Sequence, residues 1–164
     1  MLATLCCMAE GKEPTEPLPP VPAAIKSGDL LRGRVDARAK VYFLFSASSR
    51  DDVCLVHGAE LAKIYREMKG KGAELILLSK DTPAEVQRWA KKHGLRCPIL
   101  PDAKRSAKLP FPYTGEHIPP YLVALDAHGR KMAEANHDRV LTMLREWHQL
   151  VADIQRETDR KNDD

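Results

Sequence analysis

Cys54 is the side chain best placed for covalent chemistry. It closes the stretch Phe45-Ser46-Ala47-Ser48-Ser49-Arg50-Asp51-Asp52-Val53-Cys54, which follows an apolar run and opens a helical pattern. A cysteine near a helix N-terminus gains from the backbone amides and the dipole, which favour the nucleophilic thiolate. Asp51 and Asp52 act the other way, because like charge within a turn raises a thiol pKa, and Arg50 offsets part of that. These effects are of similar size, so two readings stand: a reactive thiolate, or a buried structural thiol of the kind cysteine commonly provides. His57, three residues on, lies on the same helix face, where it could stabilise a thiolate. Cys-x-x-His is only half a metal site and no matching second pair is visible, so a packed histidine is favoured and no metal is expected. Asp51 and Asp52 also suit a helix start behind Ser48 or Ser49 as N-cap, with no catalytic role.

Nothing else in the chain makes a comparable constellation. Cys6, Cys7 and Cys97 form no C-x-x-C, zinc-ribbon pair or disulfide framework with Cys54. His93, His117, His128, His137 and His148 are scattered, and no Gly-rich phosphate loop follows an apolar run, so no cofactor is expected. The net charge of +3 is interspersed and aromatics make up only 5%, which argues against nucleic-acid binding. Met1–Met8 is too short to span a membrane. Cys6 and Cys7 ahead of a polar, proline-rich spacer suggest a lipid anchor, although no good lipobox precedes them. A disordered leader or a misassigned start fits equally well. An envelope location, periplasmic or lipoprotein-like, is thereby slightly favoured over a cytoplasmic one.

The elements that must position Cys54 follow from pattern. Five prolines between residues 10 and 22 exclude regular structure. Residues 1–27 are therefore expected to be a flexible leader, 28–156 one folded domain and 157–164 a charged tail. Val41–Phe45, Glu74–Leu78 and Tyr121–Leu125 are apolar runs suited to strands covered on both faces. Leu61, Ile64, Tyr65 and Met68 recur at helical spacing, with Gly70 and Gly72 as a stop. Thr82-Pro83-Ala84-Glu85 is a capping box that should open a helix running to His93, with Gly94 as terminator. Ile99-Leu100 suits a short strand or extended piece. Asp126-Ala127-His128-Gly129 is a hairpin turn, Arg130–Ala135 its return strand, and Val140, Leu144, Trp147, Val151 and Ile154 line one face of a long final helix. The outcome is an α/β domain with a central mixed sheet of four to five strands and helices on both faces.

This order, with the residues that mark it, resembles the thioredoxin-like superfamily, in particular its redoxin branch of periplasmic thioredoxin-like proteins and peroxiredoxins. The resemblance covers about residues 28–152. It is carried by Val41–Ser48, Cys54, Glu60-Leu61, Lys71–Asp81 and Pro120–Arg130. Cys54 matches the second cysteine of the family's C-x-x-C pair, and Asp51 stands where the first, attacking cysteine belongs, so two-cysteine exchange is closed. Against the peroxiredoxin pattern, Ala47 and Asp51 replace a proline and a threonine, and the peroxide-polarising arginine falls at Pro120. The resemblance further implies that Pro120 follows a cis peptide bond, faces the redox position and shapes a partner-docking groove. It implies, too, that the segment carrying Cys97 leads away from that position.

Two functions are then expected of the degenerate site. In the first, Cys54 acts as a single-cysteine thiol oxidoreductase or peroxidase in redox homeostasis, supported by Asp51, His57 and Pro120. Its partners are peroxide or the thiols and disulfides of proteins and peptides, and its sulfur is partly exposed. In the second, the chain is a redox-inactive binding module that uses the Pro120 groove.

Overall fold

A computed structural model describes residues 34–101 and 120–162. Strand β1 (Val41–Ala47) leads into helix α1 (Asp52–Met68), strand β2 (Ala73–Ser79), helix α2 (Pro83–His93) and strand β3 (Ile99–Pro101). Strands β4 (Tyr121–Asp126) and β5 (Lys131–Asn136) form a hairpin, followed by helices α3 (Arg139–Arg145) and α4 (Trp147–Asn162). The five strands lie in the order β3-β2-β1-β4-β5. β1 pairs β2 and β2 pairs β3 in parallel, whereas β1–β4 and β4–β5 are antiparallel.

The three apolar runs are thus adjacent strands at the centre of one mixed sheet. Phe43 sits between Leu75 and Ala124, and Phe45 between Leu77 and Leu122. Alternation along β1 sends Val41, Phe43, Phe45 and Ala47 to one face and Tyr42 and Leu44 to the other. The first face carries the larger core, where Leu61, Ile64, Tyr65, Trp89, Leu144 and Trp147 meet the sheet. All four described helices contribute to that core. On the other face Tyr42, Leu44, Ile76, Leu78, Val123 and Leu125 are buried as well. Among the described residues, helices cover the first of these faces only.

Local signals in the chain act where they stand. Thr82 Oγ1 accepts from Glu85 N, the Glu85 carboxylate accepts from Thr82 N, and Pro83, which has no N–H to satisfy, occupies the first turn, so α2 starts with a reciprocal capping box. Gly94, at φ 69°, ends it in the left-handed conformation that a side chain would oppose. Two boundaries differ from expectation. The first helix takes Asp51, not Ser48 or Ser49, as N-cap, because the serines are used in the preceding turn. The long final helix is two, broken at Glu146, whose φ of −93° and ψ of 13° leave the helical well. One apolar stripe runs through both pieces, so periodicity alone does not reveal the break. The Pro-rich leader, Cys6 and Cys7 lie outside the described residues, and no described helix is long and apolar enough to cross a membrane.

Candidate functional site

The loop from β1 to α1 is stitched in place by two aspartates. The Asp51 carboxylate turns back to accept from Ser48 N at 2.6 Å, while Asp51 N donates to Ser48 O at 3.0 Å. Asp81, just past β2, accepts from Ser48 Oγ at 2.8 Å and from Ser49 N at 2.5 Å. These bonds hold the Asp81 carboxyl below its ordinary range despite the opposing cost of burial. Asp81 is a site residue that the sequence reading left without a role. Its signal in sequence was its place just beyond an apolar strand.

Cys54 sits in the first turn of α1, as its spacing required, but the residue is only 1% exposed. Its carbonyl accepts from the Trp89 indole at 3.1 Å, which draws α2 across it. Burial pushes the thiol far above its ordinary value, and the charges of Asp51 and Asp81 add to the rise. The partly exposed sulfur expected of a redox site is not what this packing gives. Cys97 is also fully buried and belongs to the same core cluster as Cys54.

An open groove of about 710 Å³ lies over the start of α1. Asp51, His57 and Pro120 line it together, but Cys54 does not. Pro120 is tied in by its carbonyl, which accepts from His137 N at 3.0 Å. His137 stands at φ 47°, a left-handed conformation that histidine adopts more readily than most residues. The cis geometry expected at the Pro119–Pro120 bond involves Pro119, outside the described residues.

His57 is where α1 kinks, at φ −110° and ψ 15°. Its Nδ1 lies 3.1 Å from the Glu60 carboxylate, not on Cys54. Glu60 also receives Arg145 Nε at 2.7 Å and Nη2 at 3.1 Å, clamping α1 to α3. The opposite wall is built by His137, Asp138, Leu141 and Arg145, from the β5–α3 turn and α3. Sequence reasoning missed these, since nothing in their own spacing marks them; only the fold brings them to α1. Among the described residues no cluster of three or more His, Cys, Asp or Glu side chains is arranged to hold a metal ion.

Comparison with known proteins agrees with this geometry. No curated protein sequence matches the chain. Among solved structures, it is similar to a thioredoxin-like protein in its oxidised form, at 15% identity and a TM-score of 0.63, over 85% of this chain and 99% of that one. It is similar to a thiol:disulfide interchange protein of the thioredoxin family from Chlorobium tepidum TLS, at 16% identity and a TM-score of 0.58, over 80% and 99%. StoA from Bacillus subtilis superposes at 16% identity and a TM-score of 0.54, over 68% and 84%. These likenesses establish a thioredoxin-like fold. The AhpC/TSA family matches residues 33–128, a span that runs from the start of the described domain through the groove to the β4–β5 turn, and the chain belongs to that family of redoxins.

Proposed function

We propose that this redoxin works as a binding module, holding an extended polypeptide in the groove beside Pro120 and doing no thiol chemistry at Cys54. The observation that carries the reading is the separation of thiol from groove. The groove is open and lined by Asp51, His57 and Pro120, whereas Cys54, on the core side of α1, is buried and burial raises its thiol above the ordinary value. A nucleophilic cysteine needs thiolate character and access, and burial opposes both at Cys54.

The rival reading keeps Cys54 as a single-cysteine oxidoreductase or peroxidase. Attack of its thiolate on a peroxide would give a sulfenic acid and release water or an alcohol. Attack on a disulfide would give a mixed disulfide, and an external thiol would reduce either product. Membership of the AhpC/TSA family and likeness to a thiol:disulfide interchange protein support it. Alkylation across a pH series, with intact-mass measurement after peroxide, separates the two. The binding reading expects Cys54 to resist alkylation until the protein unfolds and to carry no oxygen adduct. An adduct at Cys54 that disappears in Cys54→Ser would return the site to redox chemistry.

A further inference from the structure

We propose that the segment this groove takes is an extended stretch of a partner protein in which lysine or arginine flanks an aliphatic or aromatic side chain. The proposal rests on the binding reading above and gives it a ligand chemistry. Val53, Val56, Leu141 and Pro120 supply an apolar lining. Val56 is 73% exposed and its neighbour Leu55 55%, the two exposed large hydrophobic residues among those described. Two adjacent apolar side chains left in water at the start of a helix, one of them on a groove wall, mark a contact surface more than a packing remainder.

The charges around that lining are not balanced. Arg50 already donates to Glu85 at 2.7 Å, and Arg145 is held in a two-point contact by Glu60. Both carboxylate partners stand outside the lining, and Glu60 serves His57 too. Asp51, Asp52 and Asp138 face the same groove with no cation in ion-pair range among the described residues, and Asp52 and Asp138 accept no hydrogen bond there. A ligand cation would therefore meet unmatched carboxylates, while a ligand carboxylate would find both arginines occupied. This acidic rim belongs to a chain whose overall charge is +3, so the imbalance is local to the groove. Such complementarity selects partners by sign, and an apolar centre with a polar rim is how interfaces gain affinity.

The test is fluorescence anisotropy on the full chain. It uses three labelled peptides of equal length that share an apolar centre and are flanked by lysine, serine or glutamate. The lysine-flanked peptide should bind about ten-fold or more tighter than the glutamate-flanked one, with a preference that shrinks as salt rises. Asp52→Asn with Asp138→Asn should collapse that preference toward unity, each single variant giving part of the effect if the double variant folds poorly by circular dichroism. Val56→Asp should weaken all three peptides. Equal binding of the lysine and glutamate peptides would overturn this inference and leave the groove reading standing. Binding of none of them would overturn both. Self-association that Val56→Asp abolishes would give the groove to a second copy of the chain and overturn the proposal as well.

Discussion

Cys54 and Glu74 both titrate above their ordinary values from the same physical cause, loss of water, and they part company in what their neighbours do. At Cys54 the neighbouring charges deepen the effect of burial. At Glu74, 3% exposed on β2, burial raises the carboxyl to about 7 against a hydrogen bond from Asp36 N and the attraction of Lys69, with the charge of Asp36 adding to the rise. Its second oxygen has no partner among the described residues, an orphan acceptor that protonation turns into a neutral hydroxyl. The folded carboxyl thus keeps a proton that the unfolded chain releases near 4.5. Stability should therefore fall as pH rises from about 4.5 to about 7 and level off above that, where both states are ionised. Glu74→Gln removes the titration. It should stabilise the protein by on the order of 2–3 kcal/mol at pH 8 and by little at pH 4.5. Urea unfolding of both proteins at the two pH values checks this; a variant advantage independent of pH would assign the effect to packing. The sequence left the burial of Cys54 as one of two open readings and did not mark that of Glu74. The dipole and the aspartates around Cys54 are local and could be weighed, whereas the bond from the Trp89 indole to its carbonyl comes from thirty-five residues away. Glu74 read only as the polar start of an apolar strand.

At the scale of elements, the close approach of α1 and α2 hangs on one missing side chain. A Cβ on Gly58 would stand 2.5 Å from His93 Cγ and 2.7 Å from its Cδ2 and Nδ1. His93 cannot easily yield, because its ring also packs on Trp89 with centroids 5.6 Å apart. Gly58→Ala would gain up to about 1 kcal/mol in helix propensity yet force an overpacking cost of about 1–3 kcal/mol. The expected balance is a net loss of about 1 kcal/mol, converted to a gain when His93→Ala is added. A double-mutant cycle by chemical denaturation reads this coupling, and additivity would mean that the helices do not meet there. Gly58 was not read as a contact because the helical pattern around it needs no glycine. By contrast the capping box at Thr82 and the stop at Gly94 were plain, since both act within a turn of chain. The groove fell between these cases. Its α1 wall followed from the Cys54 spacing, but its α3 wall required knowing how the β4–β5 hairpin returns the chain.

For the whole molecule, the larger core makes a claim about cooperativity. Its buried members come from β1, β2, β3, β4 and β5 and from every described helix, and both tryptophans of the chain, Trp89 and Trp147, are among them. Phe43 is fully buried at the centre of the sheet, and Leu144 is fully buried on α3. Phe43→Ala should cost about 3–5 kcal/mol and Leu144→Ala about 2–5 kcal/mol, a large share of the 5–15 kcal/mol that stabilises a typical domain. A core shared by strands and helices should melt as one. The tryptophan emission reports its interior and far-UV circular dichroism reports the backbone, so the two urea transitions should coincide in the parent and in both variants. If α3 and α4 were instead a separately docked unit, Leu144→Ala would shift the early part of the transition seen by Trp147 and leave the sheet signal in place. The break at Glu146 makes this a fair question. Buried positions on both sides of it, Leu144 and Trp147, join the same cluster as Phe43. The expected outcome is therefore a single transition whose midpoint falls in step with both probes.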